Sequence, residues 1–393
     1  MNHGDVRRLL GGISARAFVA RHWHKEPRLI RQALPGFTGV VTREQLFELA
    51  ARDDVASRLV RRVGNRYSLD HGPFRHAELD RLPRSNVTLL VQGVNLHSDT
   101  ADALLRRFAF IPYARLDDVM ISYAAPGGGV GPHIDSYDVF LLEAHGQRRW
   151  RYGRPRDASL VPDAPLQILR HFEPTDDATL VAGDMLYLPP DIAHEGTAVD
   201  ECITYSIGFR APLYQEVVEA FVDHLRDTIA VDGRYADPDL RTSTHPARID
   251  SALARRFADA IDALRWNAAD TARFVGRFLT EPKSDVVFDT RPRASRSAFV
   301  RRAQRDGVSL DRRTQLLYDG ARYYLNGDDA PLSTADRLAV TALADHRKLT
   351  ASEFAALAPA TIDLLYDWHR HGYLRNARHV ASAAARPATG SAA

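Results

Sequence analysis

Residues 118–143 read "DVMISYAAPGGGVGPHIDSYDVFLLE". "DVMISYA" (118–124) has the β-branched and aromatic content of a strand, and "YDVFLLE" (137–143) reads as a second one. Between them a glycine run (126–130) delivers the chain to His133-Ile134-Asp135. A His-x-Asp triplet is weak evidence alone, because His3-Gly4-Asp5 and His97-Ser98-Asp99 have the same form. The latter has an ordinary explanation: Ser98, Asp99 or Thr100 caps the helix expected over "ADALLRRFAF" (101–110). His133 differs by its setting. It opens a strand, and Asp135 follows at the spacing of two that puts both side chains on one face.

Working outward, residues 111–210 break into short strands punctuated by Gly, Pro and Asp. "QRRWRYG" (147–153) follows the turn "AHG" and reads as a hairpin partner of 137–143. "ATLVAGDMLYLPP" (178–190) holds a Gly-Asp turn between two strands, and "CITYSIGFR" (202–210) is another. So many short strands predict a sandwich or closed barrel. After Pro189-Pro190 the chain turns, and His194 begins the next strand, which in an antiparallel barrel can return beside His133. Two imidazoles and one carboxylate on one face are the ligand set of non-haem iron(II) oxygenases, with open positions left for other ligands. Zinc is an alternative for a His-Asp-His set, while two imidazoles disfavour calcium.

The strand 147–153 carries the second signal. Arg148 shares a face with Trp150, and Arg149 shares the opposite face with Arg151. One of these faces looks into the barrel, where a buried arginine requires an anion. A dicarboxylate chelating the metal at one end and meeting the arginine at the other fits. The alternation leaves Arg148 and Arg149 both open. Tyr137, Asp118, Met120 and Ser206 are further candidates for the pocket wall. An acidic Asp118 beside aromatic Tyr137 suits a cationic guest such as an arginine side chain. Glu195, next to His194, is a candidate to orient the ligands.

The rest of the chain bounds the reading. Of 393 residues, 45% are hydrophobic and 26% charged, with net charge +2, as in a soluble globular protein of two or three domains. Near-neutral charge argues against direct nucleic-acid binding or a membrane surface. Lysine is confined to Lys25, Lys283 and Lys348, so any buried anion anchor is expected to be arginine. The single cysteine, Cys202, excludes an intrachain disulfide and Cys-based zinc sites, and suits a cytoplasmic home. No apolar run has bilayer-spanning length, and "MNHGDVRRLLGG" lacks a signal-peptide core. The first 95 or so residues read as mostly helical, with "FVARHWHKEPRLIRQA" (18–33) passing from helix to short strand at Pro27. After Pro212, Val218, Phe221, Val222 and Leu225 share one helix face, and Leu253, Phe257, Ile261 and Leu264 another. These faces suit a homodimer interface. "TQLLYDGARYYLNG" (314–327) reads as a hairpin set among helices at 333–345, 350–357 and 361–372, which suggests a winged-helix module for packing or protein contact. The low-complexity tail 381–393 is expected to be disordered.

The segments 117–153, "AGDMLYLPPDIAHEG" (182–196) and "YSIGFRAP" (205–212) resemble the bacterial JmjC-type ribosomal oxygenases, as does the opening 18–33. The resemblance implies an α+β chain built on a double-stranded β-helix (jelly roll, cupin, JmjC) core. It implies a catalytic domain at 1–212 with the barrel about 111–212, a helical dimerisation region at 213–290, and a winged-helix-like domain at 291–380. It further implies Fe(II) at His133, Asp135 and His194, with 2-oxoglutarate and O2 as cosubstrates. Arg148 then holds the distal carboxylate, which decides between the two arginines. The substrate pocket falls near Asp118, Met120, Tyr137 and Ser206. The resemblance also implies the target: a side chain, arginine, of a ribosomal protein, large-subunit protein number sixteen. Where family members can carry a serine that helps hold the cosubstrate, this chain has Ala124, and Ser122 on the same face is the substitute. Related eukaryotic enzymes hydroxylate histidine, so that target remains an alternative, as do a cupin-type metalloenzyme acting on a small molecule and a non-catalytic binding protein.

Overall fold

The computed structural model describes residues 3–377 except 65, 239, 243, 246, 285, 290–293 and 321. The tail expected to be disordered lies outside the described residues. The chain divides into two compact units, Met1–Ala211 with Lys283–Phe288, and Pro212–Pro282 with Asp289–Ala393. Among the described residues no helix is long and apolar enough to cross a membrane.

In the first unit the strands are β1 (Arg28–Ile30), β2 (Ser57–Val63), β3 (Arg66–His71), β4 (Val87–Val91), β5 (Leu116–Ala124) and β6 (His133–Ile134). They continue as β7 (Val139–His145), β8 (Gln147–Gly153), β9 (Asp176–Val181), β10 (Met185–Leu188), β11 (Ala193–Ala198) and β12 (Cys202–Phe209). Eight form one antiparallel sheet in the order β1-β10-β7-β12-β5-β4-β2-β3, and four form a second, β6-β11-β8-β9. The two sheets close face to face, since the β8 side chain Arg148 reaches Ser122 on β5 and Thr204 on β12. This is the jelly-roll core.

The fold departs from two expectations. β8 is not the hairpin partner of β7. β7 pairs with β10 and β12, and β8 with β11 and β9. Gly146, at φ +68°, turns the chain off the first sheet and onto the second. A Cβ there would lie 2.1 Å from the Glu201 carbonyl oxygen, so the corner needs glycine. The N-terminal segment is also less helical than its composition suggests. β2, β3 and β4 extend the large sheet at one edge, and the exposed faces of β2 and β3 are polar. The short helices of this segment (Ala15–Arg21, Arg43–Ala50 and Asp99–Leu105) are capped by Ser14, Thr42 and Ser98.

The core of this unit lies outside the barrel, between its large sheet and the N-terminal helices. Phe18, Phe108, Phe140 and Tyr187 form an aromatic cluster there, with Phe18 4.9 Å from the Tyr187 ring. Two buried polar ties hold the N-terminal segment to the sheet. Asp138 receives the Tyr187 hydroxyl and pairs with His24 at 2.9 Å. The Tyr205 hydroxyl accepts the amides of Val40 and Val41 at 2.9 and 3.1 Å.

In the second unit, helices at Tyr214–Thr228, Ser251–Asp262 and Ala268–Thr280 carry an aromatic contact of Phe221 with Trp266 and Phe274, and leave Val218, Val222, Phe257 and Ile261 exposed. Residues from Arg296 onward form a separate core around Phe299, Leu343, Phe354, Leu365 and Trp368. There the expected hairpin, Leu316–Asp319 with Arg322–Leu325, accompanies helices at Arg296–Asp306, Arg337–His346, Ala351–Ala355 and Pro359–Arg370. Thr350 and Glu353 make the capping box read in the sequence.

Candidate metal and anion site

Strand alternation stacks the barrel interior in rungs, because side chains two residues apart share a face and cross-strand partners lie side by side. The deepest polar rung crosses Ser122, Thr204 and Glu143, the next Met120, Ser206 and Leu141, and the outermost Asp118, Gly208 and Val139. On the facing sheet the matching positions are Arg148 beside Ala198, Trp150 beside Gly196, and Tyr152 beside His194. Below them Ala124, Ala198 and Cys202 pack into a buried plug of small side chains that closes the floor. Burial pushes the Cys202 thiol up to about 12, so it is a neutral part of that plug.

Above the floor lies a cavity that opens to solvent. Nine residues singled out in the sequence line it: His133, Asp135, His194, Arg148, Ser122, Asp118, Met120, Tyr137 and Ser206. Ser122 faces the cavity beside Arg148, whereas Ala124 lies in the plug beneath. Tyr137, 37% exposed, stands at the rim. Asp118 accepts the Gly93 amide at 3.0 Å, which fixes its carboxylate at the mouth.

At one side of the cavity three ligand groups converge. His194 pairs in register with His133 across β11 and β6, and their rings lie 4.3 Å apart. Their Nε2 atoms face the Asp135 carboxylate at 3.6 and 3.9 Å, and all three ligand atoms lie within 4.8 Å of one another. β6 ends at Ile134, so Asp135 belongs to the loop that follows. Backbone carbonyls orient both imidazoles. His133 Nδ1 donates to the Gly131 oxygen at 2.9 Å, and His194 Nδ1 donates to the Ile192 oxygen at 3.0 Å. That leaves each Nε2 lone pair aimed inward. Gly131, at φ +80°, turns its carbonyl to meet His133, which is the purpose of a glycine before the triplet. Burial, then the neighbouring His133, lowers the His194 pKa to about 4, keeping it neutral and able to ligate. Glu195, expected to orient the ligands, does not. Its side chain points to the other face of β11 and pairs with Arg151.

Arg148 is 3% exposed. Its Nη1 donates to Ser122 Oγ at 3.0 Å and Thr204 Oγ1 at 3.4 Å, and its Nη2 donates to the Gly196 carbonyl at 3.2 Å. The guanidinium stacks near Trp150, 5.1 Å from the ring centre, and its Nε is buried without a partner. Arg149 points outward to Asp177. Closure of the two sheets thus decides between the arginines.

Sequence reasoning missed Thr204, Glu143 and Gly196. Glu143 follows Val139 and Leu141 at intervals of two, a pattern that points to the interior once β7 is covered by a second sheet.

These residues fit a divalent metal ion. Two imidazoles and a carboxylate on one side leave the other side facing the cavity, and a buried guanidinium with an unsatisfied donor waits deeper in. The arrangement can bind a metal ion together with an anion that spans from it to Arg148.

Comparisons with known proteins agree with this fold. A JmjC domain model matches residues 103–217, and a ROXA-like winged helix model matches residues 263–375. The ribosomal protein uL16 3-hydroxylase of Escherichia coli is 33% identical over 340 residues, covering 86% of this chain and 90% of its own length. A probable ribosomal oxygenase of Haemophilus influenzae is 35% identical over 236 residues, 59% of this chain and 56% of that protein. The structure of the ribosomal oxygenase YcfD of Escherichia coli with cobalt and 2-oxoglutarate has a TM-score of 0.77 at 31% identity, covering 92% of this chain and 98% of that one.

Proposed function

The chain belongs to the bacterial JmjC-type ribosomal oxygenases, which makes it a 2-oxoglutarate-dependent hydroxylase, and from that membership we propose that it hydroxylates an arginine side chain of ribosomal protein uL16. The observation that carries the reading is the pairing, in one cavity, of the His133-Asp135-His194 cluster with a buried arginine that has an unsatisfied donor.

His133, Asp135 and His194 would hold iron(II). When bound, the metal supplies the oxidising chemistry that couples O2 and decarboxylation of 2-oxoglutarate to hydroxylation of an unactivated carbon. The protein's own work is to bind, orient and exclude. Arg148, steadied by Ser122, Thr204 and the Gly196 carbonyl, receives the distal carboxylate of 2-oxoglutarate. Trp150 and Leu141 wall this inner part off from water. Asp118 at the mouth offers a carboxylate to a substrate guanidinium, with Tyr137 and Met120 as walls. An acidic residue at this position favours arginine over histidine as target.

The exposed Val218, Val222, Phe257 and Ile261 support a homodimer through the helical region, which sedimentation equilibrium tests. A ribosomal substrate supports a cytoplasmic location for the activity. The near-neutral charge supports recognition of protein rather than nucleic acid.

Mass spectrometry of ribosomal proteins from cells with and without the gene tests the reading. Loss of one oxygen atom's mass from a uL16 arginine, not restored by His133→Ala, is the expected result. An unchanged uL16 would remove the proposed target.

A further inference from the structure

Glu143 faces the barrel interior and the proposed chemistry makes no use of it. It sits on β7 in register with Thr204, at 0% exposure. Its Oε2 accepts the Thr204 hydroxyl at 3.0 Å, and the same Thr204 oxygen accepts Arg148 Nη1 at 3.4 Å. A hydroxyl has one proton, so this chain of bonds has a direction, from guanidinium to hydroxyl to carboxyl. The other oxygen, Oε1, is buried without a partner. A carboxylate in such a place is held ionised only by a nearby positive charge.

The surroundings of Glu143 are few. Arg148 on β8 favours its ionised form and the Thr204 hydroxyl assists. Asp200 and Asp184, in the turns nearby, oppose it, and Cys202 on β12 is neutral. Burial is the largest influence and pushes the Glu143 carboxyl up to about 8.

We propose that Glu143 is a positioning residue of the cosubstrate anchor, and that it takes up a proton when a ligand carboxylate binds Arg148. The inference rests on the reading of Arg148 as the 2-oxoglutarate anchor. Its physical basis is that two carboxylates then lie about one buried guanidinium, and both stay ionised at a large cost. The charge balance points the same way. A divalent ion, Asp135 and Arg148 together leave two positive charges, which the 2-oxoglutarate dianion cancels. Neutrality therefore holds only with Glu143 protonated. The proton comes from solvent and stays on Glu143 until the product dicarboxylate leaves. Affinity for 2-oxoglutarate should then weaken as pH rises above about 8, by at most about tenfold per pH unit.

The test is isothermal titration of 2-oxoglutarate into the full-length protein saturated with manganese(II), without oxygen, from pH 7.0 to 8.5. Buffers of different ionisation enthalpy report the protons taken up. Wild type should take up a fraction of a proton that grows with pH, and Glu143→Gln should lack that increment and show a flatter pH dependence of Kd. Because the ligands around the metal are common to both, their titration cancels in the comparison. Equal uptake in the two proteins would overturn the proposal. Should Glu143→Gln fail to fold, infrared difference spectra of wild type decide. A protonated-carboxyl band gained on 2-oxoglutarate binding supports the proposal, and its absence at pH 8.5 refutes it. Arg148→Ala separates the two readings: if it binds 2-oxoglutarate as wild type does, the anchor assignment itself fails.

Discussion

Gly196→Ala is the sharpest probe of how Arg148, the proposed anchor, is packed. Gly196 lies opposite Trp150 in the β11–β8 register, and an alanine Cβ there would stand 2.7 Å from Arg148 Nε and 2.7 Å from two atoms of the Trp150 ring. Normal carbon contacts lie at about 3.5 Å or more, so each overlap is on the order of 0.8 Å. Neither neighbour gives way easily. Trp150 is packed against Val139, Leu141 and Leu180, and Arg148 is held by three hydrogen-bond acceptors. Overpacking of this kind costs about 1–3 kcal/mol. If the strain stays in the fold, the catalytic unit should unfold roughly 2–12 °C lower. If the guanidinium moves to relieve it, Kd for 2-oxoglutarate should rise roughly 5- to 150-fold. Thermal unfolding and anaerobic binding titration, run on the same preparation, apportion the two. Gly208→Ala is the control. Its Cβ would meet Asp118 Oδ1 at 3.2 Å, so it should disturb the mouth and the protein substrate but leave 2-oxoglutarate binding alone. A Gly196→Ala protein with both wild-type melting and wild-type affinity would show that Arg148 and Trp150 do not pack on this glycine.

Arg148→Ala should weaken 2-oxoglutarate binding by about 2–5 kcal/mol, roughly 30- to 5000-fold, whereas Arg149→Ala, which loses only an exposed partner of Asp177, should bind as wild type; competition titration with both variants checks the pair. Tyr205→Phe strips the amides of Val40 and Val41 of their acceptor and should cost about 1–3 kcal/mol in a denaturant titration, without changing the cavity. Glu143 also predicts a pH dependence of stability in the metal-free protein. Its carboxyl is raised from 4.5 to about 8, so the native state holds that proton more tightly than the unfolded chain. The associated stability is present below about pH 4.5 and is lost as pH rises through 8, by at most about 5 kcal/mol. Glu143→Gln should remove that loss, and parallel melting curves for the two proteins across this range would contradict the assignment.

Much of the site is legible in the sequence because its signals are local. Period-two alternation by itself puts Arg148 with Trp150 and Arg149 with Arg151. The glycine run before His133 marks a loop, and Gly131 there takes a positive φ. The strand after Pro189-Pro190 is free to return beside His133 in an antiparallel barrel, and His194 does pair with it. Helix starts at Ser98 and Thr350 are visible as caps, which are chemistry within three or four residues.

What the chain could not disclose by itself is every choice that depends on which strand lies beside which. "AHG" announces a reversal, but a turn does not say which sheet receives the next strand. That is decided by hydrogen bonds to β11 and β9, far away in sequence. The same closure selects Arg148 over Arg149, because alternation defines two faces and only the second sheet makes one of them an interior. It also explains why β2 and β3 escape notice: their polar faces look helical or loop-like until β4 supplies an edge to pair with. Glu143 is the clearest case. In sequence it is one acidic residue at the end of an apolar strand, where solvent exposure is the ordinary reading. Only the arrival of Arg148 from the opposite sheet, with Thr204 between them, makes it a buried carboxyl facing a guanidinium. Local patterning therefore determined which residues share a face, and tertiary closure determined which faces lost their water.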